Sequence, residues 1–353
     1  MKNRYSFLDL FRVVAALLVL LVHARCETFE TYSQLIPESQ NMFTQIFYVI
    51  ANLGLDSVAV FFLLSGFLTG GRAIQNFKNG KISPKQYVLG RVARIYPPLI
   101  ATLLLIIVSN FFIHKDFSWM MILGNLFGLQ HIAVNAATPV LWTIAYEIWF
   151  YVFIWGLMLF MNKKYLFTGI FIMSIASTMF IGLSIEWVLM LFIGMLAYYY
   201  KDNKIQRGVL LIALAVFFCT FCLDFLSKES HAFNTPFNGW NRSMIFFWFG
   251  VSLMVIITKC AMSAPSNKFL IALDSFGSKL APISYSLFLT HLPALYVLRY
   301  LRNDYVYEYV NLSSMGVYIL NCIICIIVGW LMYWLVERHT GKIQKALFKL
   351  FKV

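Results

Sequence analysis

The chain has 353 residues, of which 61% are apolar and only 12% are charged, about half the charged fraction of an ordinary soluble domain. This composition excludes a soluble globule, a disordered chain and a transmembrane β-barrel, because apolar runs of about 20 residues recur from end to end. The net charge of +13 does not require a nucleic-acid partner, since most cations lie between the apolar runs on one side of the membrane.

Ten apolar segments predict an all-α polytopic membrane protein with about ten transmembrane helices. Most of the 28 lysines and arginines, beginning with Lys2 and Arg4, fall on one side, so we expect both termini in the cytoplasm, next to anionic membrane lipids. We expect a single integral-membrane domain, residues 1–353, in the cytoplasmic membrane. The predicted spans are about 6–25, 46–69, 96–113, 139–160, 166–183, 187–200, 208–226, 243–260, 280–300 and 314–336.

The first predicted span carries Arg12 and His23, eleven positions apart. Eleven steps of 100° make three turns plus about 20°, so both side chains project from one face of a helix. Their axial separation is about 16.5 Å, which places a cation toward the cytoplasm and an imidazole toward the outside. Placing an ionisable side chain in the hydrocarbon costs about 2.5–3.5 kcal/mol of insertion free energy, so each such residue is a candidate for a functional role. An Asp9–Arg12 pair and a structural histidine are the alternatives.

Two motifs at the inner ends of the second and third spans could bind a ligand. Ser65 and Gly66 let backbone or a thin ligand approach closely, although close helix packing is the commoner use of such a pair. Arg91 and Arg94 share one face just before prolines 97–98, which we expect to interrupt the entry to the third span. Arginine pairs suit phosphate recognition. Arginines are also expected at the cytoplasmic end of a span simply because positive charge determines topology.

One further apolar segment, 118–134, follows the third span. Counting it as an eleventh span would move Lys163 and Lys164 outside and invert the downstream topology, so we predict an interfacial or re-entrant segment. Such a segment is tolerated at membrane depth only where protein or a watery cavity covers its backbone. It therefore indicates an outward-facing cavity before the fourth span, with a true eleventh helix as the alternative.

The fourth and ninth spans each carry a buried ionisable residue. Glu147 lies about two turns inside the outer end of its span, at a depth similar to that of His23. A carboxylate bonded to an imidazole fixes its tautomer and stabilises imidazolium, as a general base requires. A helix–helix contact or a proton relay is the alternative for Glu147. For His291, support of the site, substrate orientation and a second proton transfer are all open.

The six cysteines include two C-x-x-C pairs, Cys219/Cys222 and Cys322/Cys325. Both pairs lie in apolar spans without a neighbouring histidine or carboxylate, so we expect packing residues rather than metal ligands or disulfides. We therefore predict no metal site and no permanently bound cofactor.

Five segments of the chain occur in an order that is specific in combination. They are Arg12-x10-His23, Phe-Phe-Leu-Leu-Ser-Gly-Phe (61–67), Arg-Val-Ala-Arg-Ile-Tyr-Pro (91–97), Trp142-Thr-Ile-Ala-Tyr-Glu147 and Tyr285-Ser-Leu-Phe-Leu-Thr-His291. With them, the chain resembles the membrane-bound acyltransferase 3 family over nearly its whole length, although Thr143 stands where serine is usual in the family and Ala59 stands where aspartate is common. The resemblance implies a ten-helix enzyme that moves acyl groups, most often acetyl, onto envelope glycans, and we expect no fused esterase-like domain.

The resemblance also implies a reaction. Acetyl-CoA or another acyl-CoA would be the co-substrate, and the acceptor would be a hydroxyl of an extracytoplasmic or lipid-linked carbohydrate. His23 would act as general base, oriented by Glu147, while an acyl-enzyme on His23 and a homo-oligomer remain open. The implied donor-binding residues are Arg12, Ser65, Gly66, Arg91 and Arg94, with Trp142, Tyr146, Tyr285 and His291 as supporting residues.

Two other functional classes fit the composition. A proton-coupled transporter or flippase lacks the paired interrupted helices and inverted repeats expected of many transporters. An assembly scaffold for polysaccharide synthesis would have a degenerate catalytic site, whereas His23 and Glu147 are both present in this chain. O-acyltransfer is therefore the primary hypothesis. The relay of the transporter would comprise Asp9, Arg12, Asp56, Glu147 and His291.

Overall fold

The computed structural model describes residues 5, 7–229 and 240–353. Thirteen α-helices occur in these residues, and the predicted inner cations Lys2 and Arg4 lie outside them. The helices are α1 (Leu8–Cys26), α2 (Met42–Ser65), α3 (Arg72–Lys78), α4 (Pro84–Phe112), α5 (Trp119–Leu126), α6 (Trp142–Met161), α7 (Leu166–Ile181), α8 (Ile185–Tyr199), α9 (Arg207–Glu229), α10 (Trp240–Met262), α11 (Lys268–Tyr300), α12 (Leu312–Leu335) and α13 (Thr340–Leu350).

Each of the ten predicted spans overlaps one helix of 15 to 33 residues, and the fold is that of an all-α, multi-pass membrane protein. Within the described ranges, seven helical segments are long and apolar enough to cross a membrane. α8 is a shorter apolar helix, as is the 207–223 part of α9, and α1 carries three charged residues. The count of ten spans and the cytoplasmic termini stay predictions.

Helix α4 corrects one expectation, because Pro97 and Pro98 lie inside a continuous helix. A proline lacks the N–H that would bond to the carbonyl four residues earlier, but it is tolerated where the surroundings compensate. Pro98 and Leu99 are buried, so packing holds the helix together at this point. Arg91 and Arg94 therefore lie on an uninterrupted helix.

The segment 118–134 forms the eight-residue helix α5 and an irregular loop. Eight residues rise about 12 Å, which is too short to cross a hydrocarbon core of about 30 Å. Asn125, fully buried, donates to the carbonyl of Asn135 (2.9 Å) and accepts from the N–H of Ala137 (3.0 Å). Gln130 donates to the carbonyl of Leu141 (2.8 Å). Buried amides of this segment thus bond to the backbone of the residues that follow it, 135–141, and the interfacial or re-entrant position stays a prediction.

The chain divides into two compact units. The first unit comprises the described parts of 1–11, 59–84 and 150–277, and the second unit comprises 12–58, 85–149 and 278–353. In the first unit, a π-helical turn joins α2 to α3, and α2 packs backbone to backbone against α8. A Cβ on Gly66 would lie 1.9 Å from the carbonyl oxygen of Leu191, so only glycine fits there.

Candidate active site

Two histidines from α1 and α11 meet in the second unit. Nε2 of His291 lies 3.3 Å from Nδ1 of His23, and the ring centroids are 5.1 Å apart. His291 is fully buried, whereas His23 is half-buried. The buried thiol of Cys325 lies 3.6 Å from the carbonyl oxygen of His291 and packs against α11. The structure therefore brings together two predicted site residues that are 268 positions apart.

Backbone hydrogen bonds fix the tautomer of both imidazoles. Nδ1 of His23 lies 2.8 Å from the carbonyl oxygen of Val19, and Nδ1 of His291 lies 3.0 Å from that of Leu287. A carbonyl oxygen only accepts, so each neutral ring carries its proton on Nδ1. The Nδ1–H of His23 is then shared between two acceptors, the carbonyl oxygen of Val19 and Nε2 of His291. Nε2 of His23 keeps its lone pair and has no hydrogen-bond partner within the described ranges.

The hydrogen-bond partners of the His23 ring among the described residues are Val19 and His291. Glu147 is half-buried on α6. Its orienting role toward His23 stays a prediction. Trp142 and Tyr146 on α6 form an edge-to-face ring pair at 5.4 Å.

A second polar cluster surrounds the carboxylate of Glu337, which is only 2% exposed. Nη2 of Arg94 lies 2.9 Å from its Oε1, and the hydroxyl of Ser286 donates to its Oε2 at 2.5 Å. The Arg94 guanidinium also lies over the ring of Tyr285, 5.6 Å from the centroid. Arg12 is close enough for its charge to act on the same carboxylate. Of the predicted residues, Arg94 therefore pairs with Glu337 and lies over Tyr285, and Arg12 is near enough to act on the carboxylate through its charge.

Sequence reasoning did not identify Glu337. A signal was nevertheless present, because Glu337 is the only carboxylate after Glu308 and it directly follows the last span in a strongly basic segment. An isolated acid among inner-edge cations indicates a specific partner rather than topology. The guanidinium of Arg91, one helical turn before Arg94, lies 5.8 Å from the centroid of the Tyr87 ring.

The two clusters are connected through α11, which carries both Ser286 and His291. Five residues along a helix rise about 7.5 Å, so the arginine–glutamate cluster and the histidine pair lie at different depths beside one helix. On α1, likewise, Arg12 lies toward the arginine–glutamate cluster and His23 belongs to the histidine pair. The second unit thus places an arginine–carboxylate cluster at one depth and a pair of imidazoles at another.

Ser65 and Gly66 lie in the first unit, where their contacts are those of helix packing. The Ser65 hydroxyl lies 3.3 Å from the hydroxyls of Thr69 and Tyr151. Gly66 contacts the backbone at Leu191. These contacts account for both small residues, and a role in donor binding stays a prediction.

Comparison with protein families matches residues 5–334 to an acyltransferase domain, that of the acyltransferase 3 family. The match runs from α1 into α12 and ends before Glu337. No curated protein and no solved structure matches the chain.

Proposed function

The chain belongs to the acyltransferase 3 family, and from that premise we propose that it is an acyl-CoA-dependent O-acyltransferase of the cytoplasmic membrane. The donor would be acetyl-CoA on the cytoplasmic side. The acceptor would be a hydroxyl of an envelope glycan or of its lipid-linked precursor. The observation that carries the proposal is the half-buried His23, whose Nδ1–H is bonded and whose Nε2 keeps its lone pair.

In the proposed reaction, His23 acts as general base. Nε2 removes the proton of the acceptor hydroxyl as the hydroxyl oxygen attacks the thioester carbonyl. A carbon–oxygen bond forms, the carbon–sulfur bond breaks, and the CoA thiolate takes the proton back from the imidazolium. General base catalysis contributes about 10²–10⁴-fold, and positioning of the two substrates would supply much of the rest.

His291 supports this chemistry because its Nε2 accepts the His23 Nδ1–H, and that bond strengthens when His23 becomes positively charged. Glu147 would add negative charge at longer range and stabilise the same imidazolium. We therefore propose that His291 takes the larger share of the orienting part that was expected of Glu147. Trp142 and Tyr146 would line the acceptor side of α6.

Donor binding is proposed at the inner cluster. Arg91 and Arg94, with Arg12 beyond them, would hold the phosphates of acyl-CoA, because guanidinium groups match phosphate oxygens in charge and geometry. The proposed topology, with about ten spans and cytoplasmic termini, puts this cluster at the cytoplasmic face. Ser65 and Gly66 would lie along the path of the pantetheine arm.

The test is mass spectrometry of surface glycans from cells that make the wild-type protein or His23→Ala. We expect glycan O-acetyl groups with the wild type and their loss with His23→Ala at equal membrane levels. His114→Asn is a matched control, since His114 is exposed and has a left-handed backbone (φ 53°) that asparagine tolerates.

Two outcomes would contradict the proposal. Unchanged O-acetylation in His23→Ala would remove the general-base mechanism. A purified wild-type protein that neither binds nor hydrolyses labelled acetyl-CoA would remove the acyltransferase activity itself and favour the proton-coupled transporter.

A further inference from the structure

Glu337 lies beyond the part of the chain that matches the family, yet inside the second unit its Oε1 forms an ion pair with Arg94 and its Oε2 accepts a hydrogen bond from Ser286. It begins a short 3₁₀ turn between α12 and α13. The hydroxyl of Thr340 donates to the Glu337 carbonyl oxygen at 2.6 Å and ties this turn to the start of α13. The position of the carboxylate is therefore fixed by local structure as well as by its partners.

Helix α13 is docked on the part of α4 that carries the arginines. A Cβ on Gly90 would lie 3.2 Å from Nε2 of Gln344, so α13 approaches α4 closely next to Arg91. At the far end of α13, Nζ of Lys85 donates to the carbonyl oxygen of Phe351 at 2.7 Å. These two contacts hold the segment after the last span against α4, which keeps Glu337 within reach of Arg94.

Arg94 has unused hydrogen-bonding capacity. A guanidinium offers five N–H donors in a rigid fork, and the Glu337 carboxylate lies against the Nη2 edge. The Arg94 side chain is 39% exposed, and in the described residues its contacts are Glu337 and the Tyr285 ring. The remaining donors are therefore available to an anion that comes from outside the protein.

We propose that Glu337 is a positioning residue of the donor site, which holds one edge of Arg94 so that the other N–H donors face a phosphate of acyl-CoA. This inference rests on the proposed function. Without Glu337, the long arginine side chain would have to be ordered during binding, and that ordering weakens affinity. The carboxylate also offsets the repulsion between Arg94 and Arg12 while no donor is bound.

The experiment compares Glu337→Gln with the wild type as purified full-length proteins. Binding of CoA is measured by isothermal titration calorimetry, and acetyl transfer by steady-state kinetics. We expect Kd for CoA and KM for acetyl-CoA to rise about tenfold, with a much smaller change in kcat. Glu308→Gln, which neutralises an exposed carboxylate on an outer loop, is the matched control and should bind CoA as the wild type does.

The charge-exchange variant Arg94→Glu/Glu337→Arg separates positioning from simple stabilisation. If the pair only stabilises the fold, the exchange should restore both thermal stability and CoA affinity that Glu337→Gln loses. If the N–H groups of Arg94 bind a phosphate of CoA, the exchange should restore thermal stability but not CoA affinity, because an arginine at the buried position 337 cannot present its N–H groups to the phosphate.

Unchanged CoA affinity in Glu337→Gln would overturn the inference while the proposed function stands. Absence of CoA binding by the wild type would instead overturn the proposed function. The two failures are therefore distinguishable in one set of titrations.

Discussion

The two compact units use their polar and small residues differently. In the second unit, residues from α1, α4, α11 and the turn after α12 converge on a histidine pair and a buried carboxylate. In the first unit, the predicted residues Ser65 and Gly66 make packing contacts, and Gly194 likewise approaches the backbone of Leu63. The segments that carry the family resemblance therefore divide between buried polar clusters in the second unit and close helix packing in the first unit.

Among the variants that compare the two units, the largest effect is expected for His291 in the second unit. His291→Ala removes one of the two acceptors of the His23 Nδ1–H, and a hydrogen bond to a charged group contributes about 1.5–3 kcal/mol, or roughly 10- to 100-fold in kcat. KM for acetyl-CoA should change little. His291→Gln, which keeps an acceptor oxygen, should recover part of the rate in steady-state transfer assays.

Glu147→Gln is the matched comparison, and we expect its kcat to fall less than that of His291→Ala. The structure gives His23 a direct bond to His291. A larger loss in Glu147→Gln would contradict the assignment of the orienting role to His291. Thermal unfolding of both variants controls for the cavity that alanine leaves at a fully buried position.

The helices could be predicted well from the sequence because the rules involved are local. All ten spans predicted from apolar runs of membrane length overlap helices. In the 118–134 segment, the helix has only eight residues and is too short to cross a membrane. The prediction was wrong at Pro97–Pro98, because the local sequence carries the cost of proline in a helix but not the tertiary packing that compensates for it.

The site could be predicted only in part. Helical periodicity relates Arg12 to His23 on one helix, but it does not say which neighbouring helix each side chain meets. The contact of His23 with His291 depends on the packing of α1 beside α11, which a single sequence does not contain. Glu337 was missed for the same reason, since its partners Arg94 and Ser286 are distant in sequence.

A smaller effect is expected for Gly66 in the first unit. A new Cβ in Gly66→Ala would lie 1.9 Å from the Leu191 carbonyl oxygen, and overpacking of this kind costs about 1–3 kcal/mol of unfolding free energy. Thermal unfolding of the purified wild type and variant measures this loss of stability. Gly316→Ala is the control, because a Cβ there meets open space on α12. A raised KM for acetyl-CoA at unchanged stability would contradict the packing role and place Gly66 beside the donor.

The smallest effect tests the inner cluster of the second unit through Arg94→Lys. Lysine keeps the positive charge beside Glu337 but loses the planar fork that binds phosphate at two points. We expect KM for acetyl-CoA to rise about tenfold, equivalent to about 1.4 kcal/mol, with kcat nearly unchanged. Arg207→Lys, at an exposed position in the first unit, should change neither constant. If Arg94→Lys also leaves KM unchanged, the donor phosphates do not bind at this cluster, and the ion pair with Glu337 serves only to join α4 to the turn after α12.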